Sequence, residues 1–202
     1  MPACVRDSGR TASAFTLVEL LVVMGVISVL ASMLLPVMQR ARASGRQSNC
    51  LSNLRQLAIA AQNYREENGD WYPPTYLSGT PVRRWMSLLK TYLKTYEVLD
   101  CPESKHVKCP YDEDIYLAYG TNVFNFDGNQ ACFWYPVKET VVVVPSKTIL
   151  LADSVSGSYY VGGGKTFRDP VPSVDYRHFA GFCAAYCDTH ADRLVRTEKY
   201  PW

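Results

Sequence analysis

Charge is missing from one long stretch of this 202-residue sequence: the nineteen residues Leu20 to Met38 contain no ionisable side chain. Over the whole chain the net charge is +2 and charged residues make up 20%, so no broad electropositive surface points to nucleic acid. Cysteine is also modest, with seven residues, at positions 4, 50, 101, 109, 132, 183 and 187. That is too sparse for a disulfide-built scaffold, yet enough for one or two bridges in an oxidising compartment. The chain lacks internal repeats and low-complexity tracts. It has no nucleophile elbow and no Asp-x-Asp-x-Asp calcium loop, and "VGGGKT" (161–166) lacks the spacing of a phosphate loop. Aromatics are plentiful, with 14 Tyr and 4 Trp, which argues for a packed core and against disorder.

The uncharged stretch is the first positive feature. Nineteen helical residues span roughly 28 Å, about the hydrocarbon thickness of a bilayer. A secretory signal peptide would carry a shorter apolar run and a small-residue cleavage site after it. Here the basic start, Arg6 and Arg10, is followed by small residues before the run, at Ala12-Ser13-Ala14, while Leu34-Leu35-Pro36-Val37 offers no cleavage site. Arg40, Arg42 and Arg46 follow the span, and by positive-inside counting alone they favour a cytoplasmic C-terminal side.

"AFTLVELL" (14–21) resembles the leader of type IV prepilins and type II secretion pseudopilins. The resemblance implies cleavage between Ala14 and Phe15 by a prepilin peptidase, and N-methylation of Phe15 by the same enzyme. Ala14 stands where the family usually has Gly. Glu19 becomes the fifth residue of the mature chain, where the family carries its assembly glutamate, and Pro36 falls where such helices bend. The resemblance also places the C-terminal body in the periplasm, opposite to the arginine count. A carboxylate at mid-bilayer costs ~2.5–3.5 kcal/mol, so Glu19 calls for a partner. The α-amino group of a neighbouring subunit's Phe15 would serve; the alternative is a side chain reaching the headgroups from the helix end.

Past Pro36, Leu51, Leu54, Leu57, Ala58, Ala61 and Tyr64 recur at three- and four-residue spacings, one face of an α-helix. Asn68-Gly69 supplies a stop, with Pro73-Pro74 beyond. The spacing thus predicts one helix of ~50 residues, apolar all round at first and amphipathic later. Residues 83–102 predict a second, shorter helix with Trp85, Leu88, Leu89, Tyr92, Leu93 and Tyr96 on one face. Strand candidates are Ile115–Tyr119, Ala131–Tyr135, Thr140–Val144, Thr148–Ala152, Gly181–Cys187 and Ala191–Val195. Helices followed by strands give an α+β class, with a long helix packed on a small antiparallel-sheet head. The division expected is a leader (1–14), a transmembrane and assembly helix (15–38), an amphipathic stalk (39–68) and an extracytoplasmic head (69–202).

The head carries a second resemblance. "NLRQLAIAAQNYREENGDWYPP", "YLAYGTN", "VPSKTILLADS" and "RHFAGFCAAYCDTHADRL" follow, in order, prepilin-type proteins marked by a His, nine residues, then Asp-Gly. His178 and Asp188 reproduce the spacing, and Thr189 replaces the Gly. Asp-Gly suits a turn with positive φ, so Thr189 predicts a different turn, with Asp188 bonding its own backbone.

For chemistry in the head, Cys183 and Cys187, with His178, His190, Asp188 and Asp192 nearby, invite a metal reading. On a strand, however, a Cys-x3-Cys pair lies ~13 Å apart and cannot share an ion. No metal, cofactor or catalytic residue is assigned from sequence. Cys101 and Cys109 bracket a short loop and are the candidate disulfide, while Cys50 reads as a free thiol in the long helix. Pseudopilins often hold calcium in a C-terminal loop, which directs attention to Asp153, Asp169 and Asp175 without assigning a site.

The expectation is therefore a non-enzymatic, pilin-like subunit in the bacterial inner membrane with a single pass. Its partners would be the prepilin peptidase/methylase, copies of itself and related subunits, the inner-membrane assembly platform and membrane lipid, with no nucleic acid. It would be extracted into a pilus or pseudopilus. The alternative is a monomeric membrane-anchored module whose head binds a glycan or protein; a Cys–His hydrolase is the weakest reading.

Overall fold

A computed structural model describes residues 16–123, 131–155, 157–162 and 174–195. The chain divides into two units, Met1–Arg42 and Ala43–Trp202. One helix, α1 (Leu17–Glu67), runs through the boundary and continues unbroken past Pro36.

In the first unit, every described residue from Leu17 to Met38 is exposed, and nearly all are apolar. The helix opens on a reciprocal cap. Thr16 donates its backbone N–H to Glu19 Oε2 at 2.9 Å and its hydroxyl at 2.7 Å, while the Glu19 N–H reaches Thr16 Oγ1 at 3.3 Å. This is the Ser/Thr-x-x-Glu capping box, which satisfies two donors left over at a helix start.

In the second unit the same helix buries a stripe, Cys50, Leu54, Leu57, Ala58, Ala60 and Ala61. It stops as the Asn68-Gly69 signal predicts. Gly69 takes φ 65°, and the Asp70 N–H returns to the Arg65 carbonyl at 3.0 Å, the six-to-one bond of a Schellman cap.

Eleven short strands follow among the described residues: β1 (Trp71–Tyr72), β2 (Tyr76–Leu77), β3 (Arg83–Arg84), β4 (Lys108–Cys109), β5 (Asp112–Tyr116), β6 (Tyr119–Asn122), β7 (Val137–Lys138), β8 (Ile149–Asp153), β9 (Tyr160–Val161), β10 (Gly181–Tyr186) and β11 (Ala191–Val195). The main sheet has the order β11-β10-β8-β6-β9; all its pairings are antiparallel except β6–β9. Central β8 is buried along its whole length, its four apolar residues and Asp153 alike. At the β6–β9 pairing, a Cβ on Gly120 would stand 2.7 Å from the Tyr160 Cα, so only glycine permits that approach. The architecture is the expected α+β arrangement.

Three parts of the head differ from expectation, the first being the run Ile115–Tyr119, which is split between β5 and β6 in different sheets. The helix predicted over 83–102 is α2 (Trp85–Leu89) followed by two 3₁₀ turns, Lys90–Tyr92 and Tyr96–Leu99, with Leu93 and Thr95 extended between them. The break lets Val98 and Leu99 enter the core beside Trp85, while Tyr96 stays out over the Lys90 ammonium. A single straight helix would have put Tyr96 on the buried face. The runs Ala131–Tyr135 and Thr140–Val144 do not form strands. Phe133 instead packs edge-on against Tyr72, with ring centroids 5.4 Å apart, and Glu139–Val141 coils into a 3₁₀ turn. Aromatic and β-branched residues favour a strand only where a partner offers a ladder.

Candidate functional site

Two places gather the functional side chains. The first is the start of α1. Ala14 and Phe15, the expected cleavage and methylation residues, lie outside the described residues. Glu19 is described, and its carboxylate is held by Thr16, as given above. The Thr16-x-x-Glu19 pattern is legible in the sequence as a helix start, a role that the assembly reading passes over.

The second place is in the head, where four residues far apart in sequence converge. Cys50 comes from the buried stripe of α1, Cys101 from the segment after the second 3₁₀ turn, Asp153 from the end of β8 and His178 from the turn before β10. All four are buried, and their ligand atoms lie within 4.8 Å of one another. The Cys50 thiol donates to Asp153 Oδ1 at 3.4 Å, Cys101 Sγ stands 3.4 Å from His178 Nε2, and His178 Nε2 stands 3.5 Å from Asp153 Oδ2.

Each member is fixed from behind. Asn53 Nδ2 donates to the Asp100 carbonyl at 2.9 Å, pinning the Cys101 segment to α1. The Cys183 N–H donates to Asp153 Oδ2 at 2.7 Å, and the Tyr119 hydroxyl donates to Cys50 Sγ at 3.1 Å. His178 Nδ1 faces Glu103 Oε2 at 2.8 Å, outside hydrogen-bond angles, and Arg46 Nε donates to the other Glu103 oxygen at 2.9 Å. His178 opens a tight turn closed by reciprocal backbone bonds to Gly181 at 3.0 and 2.9 Å. The two central residues, Phe179 (φ 50°) and Ala180 (φ 58°), sit in the left-handed region without being glycine. Arg193 braces this turn, its Nε donating to the His178 carbonyl at 2.9 Å and its Nη2 to the Phe179 carbonyl.

Burial sets the electrostatics. It raises the Asp153 pKa against the pull of Arg177, the Cys183 N–H and His178. Burial works to lower His178, but the Cys101 hydrogen bond, Asp153 and Glu103 outweigh it and the pKa rises. For Cys50, contact with Cys101 lowers the pKa, yet hydrogen bonding with Cys183, burial and Asp153 prevail and push it up. Cys101 is pushed up by its hydrogen bond with Cys50 and by burial, despite His178. Without a cation the two thiols thus keep their protons.

The expected Cys101–Cys109 bridge is not formed. Both cysteines are free and buried, and the Cys101 thiol is turned toward His178 and Cys50. The paired motif residues, His178 and Asp188, do not meet either. Six-residue β10 stands between them, roughly 20 Å of strand. Asp188 instead shapes the β10–β11 hairpin, where its Oδ1 accepts the His190 N–H at 3.2 Å. The bond to its own backbone is as predicted; a different turn is not, because Thr189 adopts φ 74°, the conformation that glycine would take. Of the acidic residues singled out for calcium, Asp153 is in the buried cluster, Asp175 pairs with Arg177 at 3.2 Å, and Asp169 lies outside the described residues.

Comparison with known families bears on both places. Residues 9–35 match the prokaryotic N-terminal methylation motif, and residues 39–128 match a family described as a protein of unknown function (DUF1559). This is a pilin-like protein. In a pilin-like chain the exposed apolar half of α1 is a membrane anchor, and its 18-residue window has a mean hydropathy of 2.6. The DUF1559 match covers the stalk half of α1 and the head as far as β6, including Cys50 and Cys101. No curated protein and no solved structure matches the chain.

Proposed function

We propose that this pilin-like protein is a structural subunit of a type II secretion pseudopilus or a type IV pilus-like filament, and not an enzyme. It would enter the inner membrane with its head in the periplasm. A prepilin peptidase would cleave after Ala14 and methylate Phe15. An assembly platform would then extract the mature chain into a filament of copies or related subunits.

The observation that carries this reading is the methylation-motif match over 9–35, joined to a helix whose apolar side chains are all exposed from Leu17 to Met38. Lipid covers such a surface in the membrane, and neighbouring helices cover it in a filament core. Glu19 suits both states. Its capping box with Thr16 holds the carboxylate in the isolated subunit, and its charge answers the α-amino group of a neighbour's Phe15 during assembly.

Two substitutions separate these roles. Glu19→Gln keeps an N3 residue able to complete the capping box but removes the charge; Glu19→Ala removes both. Quantifying sheared filaments against membrane-retained subunit should show that Glu19→Gln inserts normally and enters filaments at least ~10-fold less, near 1.4 kcal/mol. Wild-type incorporation by Glu19→Gln would refute a charge-paired assembly role and favour a monomeric anchored module.

A further inference from the structure

We propose that Cys50, Cys101, Asp153 and His178 form a closed, structural Zn²⁺ site that ties α1 to the sheet of the head. The inference is independent of filament assembly. Two thiolates, an imidazole and a carboxylate are a donor set suited to zinc in tetrahedral geometry. A tetrahedral Zn²⁺, with bonds of about 2.3 Å to sulfur and about 2.0–2.1 Å to nitrogen and oxygen, spaces its ligands predictably. Sulfur-to-nitrogen and sulfur-to-oxygen edges come to about 3.5 Å, and nitrogen-to-oxygen edges to about 3.3 Å. The distances here are 3.4 Å for Cys101 to His178, 3.4 Å for Cys50 to Asp153 and 3.5 Å for His178 to Asp153. The first two are edges of one tetrahedron already at ligand spacing, while the His178 contact is to the other Asp153 oxygen, so a small turn of that carboxylate completes the set.

The surroundings fit the same assignment. With Nε2 directed into the cluster, His178 places Nδ1 2.8 Å from Glu103 Oε2, where a small ring rotation would make the carboxylate–histidine pairing that orients a zinc ligand. The Tyr119 hydroxyl and the Cys183 N–H donate to Cys50 and Asp153, as donors behind anionic ligands do. The left-handed Phe179 and Ala180 are strain placed directly after a ligand. Two thiolates, a carboxylate and a neutral imidazole around Zn²⁺ carry a net negative charge. The buried Arg177 guanidinium, coupled to Asp153, supplies the opposite one. All four ligands come from the protein, which leaves no open position and gives the site a structural role. Zn²⁺ would displace the thiol protons that burial otherwise retains.

The test uses the detergent-solubilised full chain, stripped with a chelator and reloaded with Zn²⁺ or Co²⁺. We expect one zinc per chain, surviving gel filtration. The Co²⁺ form should show the intense visible bands of a tetrahedral centre, with charge transfer from two thiolates. Cys101→Ser should abolish tight binding, Cys132→Ser should leave it unchanged, and Glu103→Gln should weaken it ~10–100-fold at unchanged stoichiometry. If Cys101→Ser fails to fold, the wild-type Co²⁺ spectrum decides the matter alone. An octahedral spectrum without thiolate charge transfer, absence of zinc after loading, or a Cys50–Cys101 disulfide in the isolated chain would overturn the site.

Discussion

One helix meets two different fates. From Leu17 to Met38, α1 is apolar on every side and exposed throughout; from Cys50 to Ala61 it buries a single stripe, Cys50, Leu54, Leu57, Ala58, Ala60 and Ala61. The first half is exposed throughout among the described residues, and in the proposed function lipid and other subunits cover it. The second half is satisfied by the head it carries. The same backbone geometry thus serves intermolecular and intramolecular packing, and the distribution of apolar residues around the helix decides which.

Matched truncations on the two halves should break that symmetry. Leu57→Ala, at a fully buried position, should destabilise the head by about 2–5 kcal/mol, read as a lowered denaturant midpoint. Ile27→Ala, at a position 57% exposed, should leave the midpoint of the head unchanged. Equal effects would show that the two halves are not energetically distinct.

The helix was legible because its signals are local: a Thr-x-x-Glu start, a periodic stripe and an Asn-Gly stop. β8, β10 and β11 were legible for the same reason, as apolar runs bounded by turn residues. The 83–102 segment was not, because its break answers a tertiary demand, the burial of Leu99, that periodicity does not contain. The buried cluster was hidden for a similar reason. Cys50 stands in phase with Leu54, Leu57 and Ala61, which marks it as buried, and His178 belongs to a recognisable motif. Their meeting with Cys101 and Asp153 depends on how β8, β10 and α1 pack. Cys183 and Cys187, close in sequence, drew attention away from it.

Within the head, a smaller effect sharpens the account of the hairpin. Thr189 holds φ 74°, so Thr189→Gly should stabilise the head by about 1 kcal/mol in the same denaturation assay. A loss of stability would mean that the threonine side chain contributes more than its backbone strain costs.

A separate effect concerns alkaline pH. Burial pushes Tyr72 from 10.0 up to about 12, with Cys187 adding to the rise and Arg65 opposing it. A folded pKa above the unfolded one contributes stability that is complete below pH 10.0 and lost as pH rises toward about 12. Tyr72→Phe should therefore flatten the fall in stability across that window, measured by denaturant midpoints at successive pH values. An unchanged slope would remove Tyr72 from the alkaline response.

The account rests most heavily on the processing of the exposed half of α1. Intact-mass and N-terminal peptide analysis of the chain from its native membrane tests this directly. The account predicts a mature chain that begins at Phe15 and carries an N-methyl group. A membrane-embedded chain that retains Met1 and residues 2–14 would contradict it.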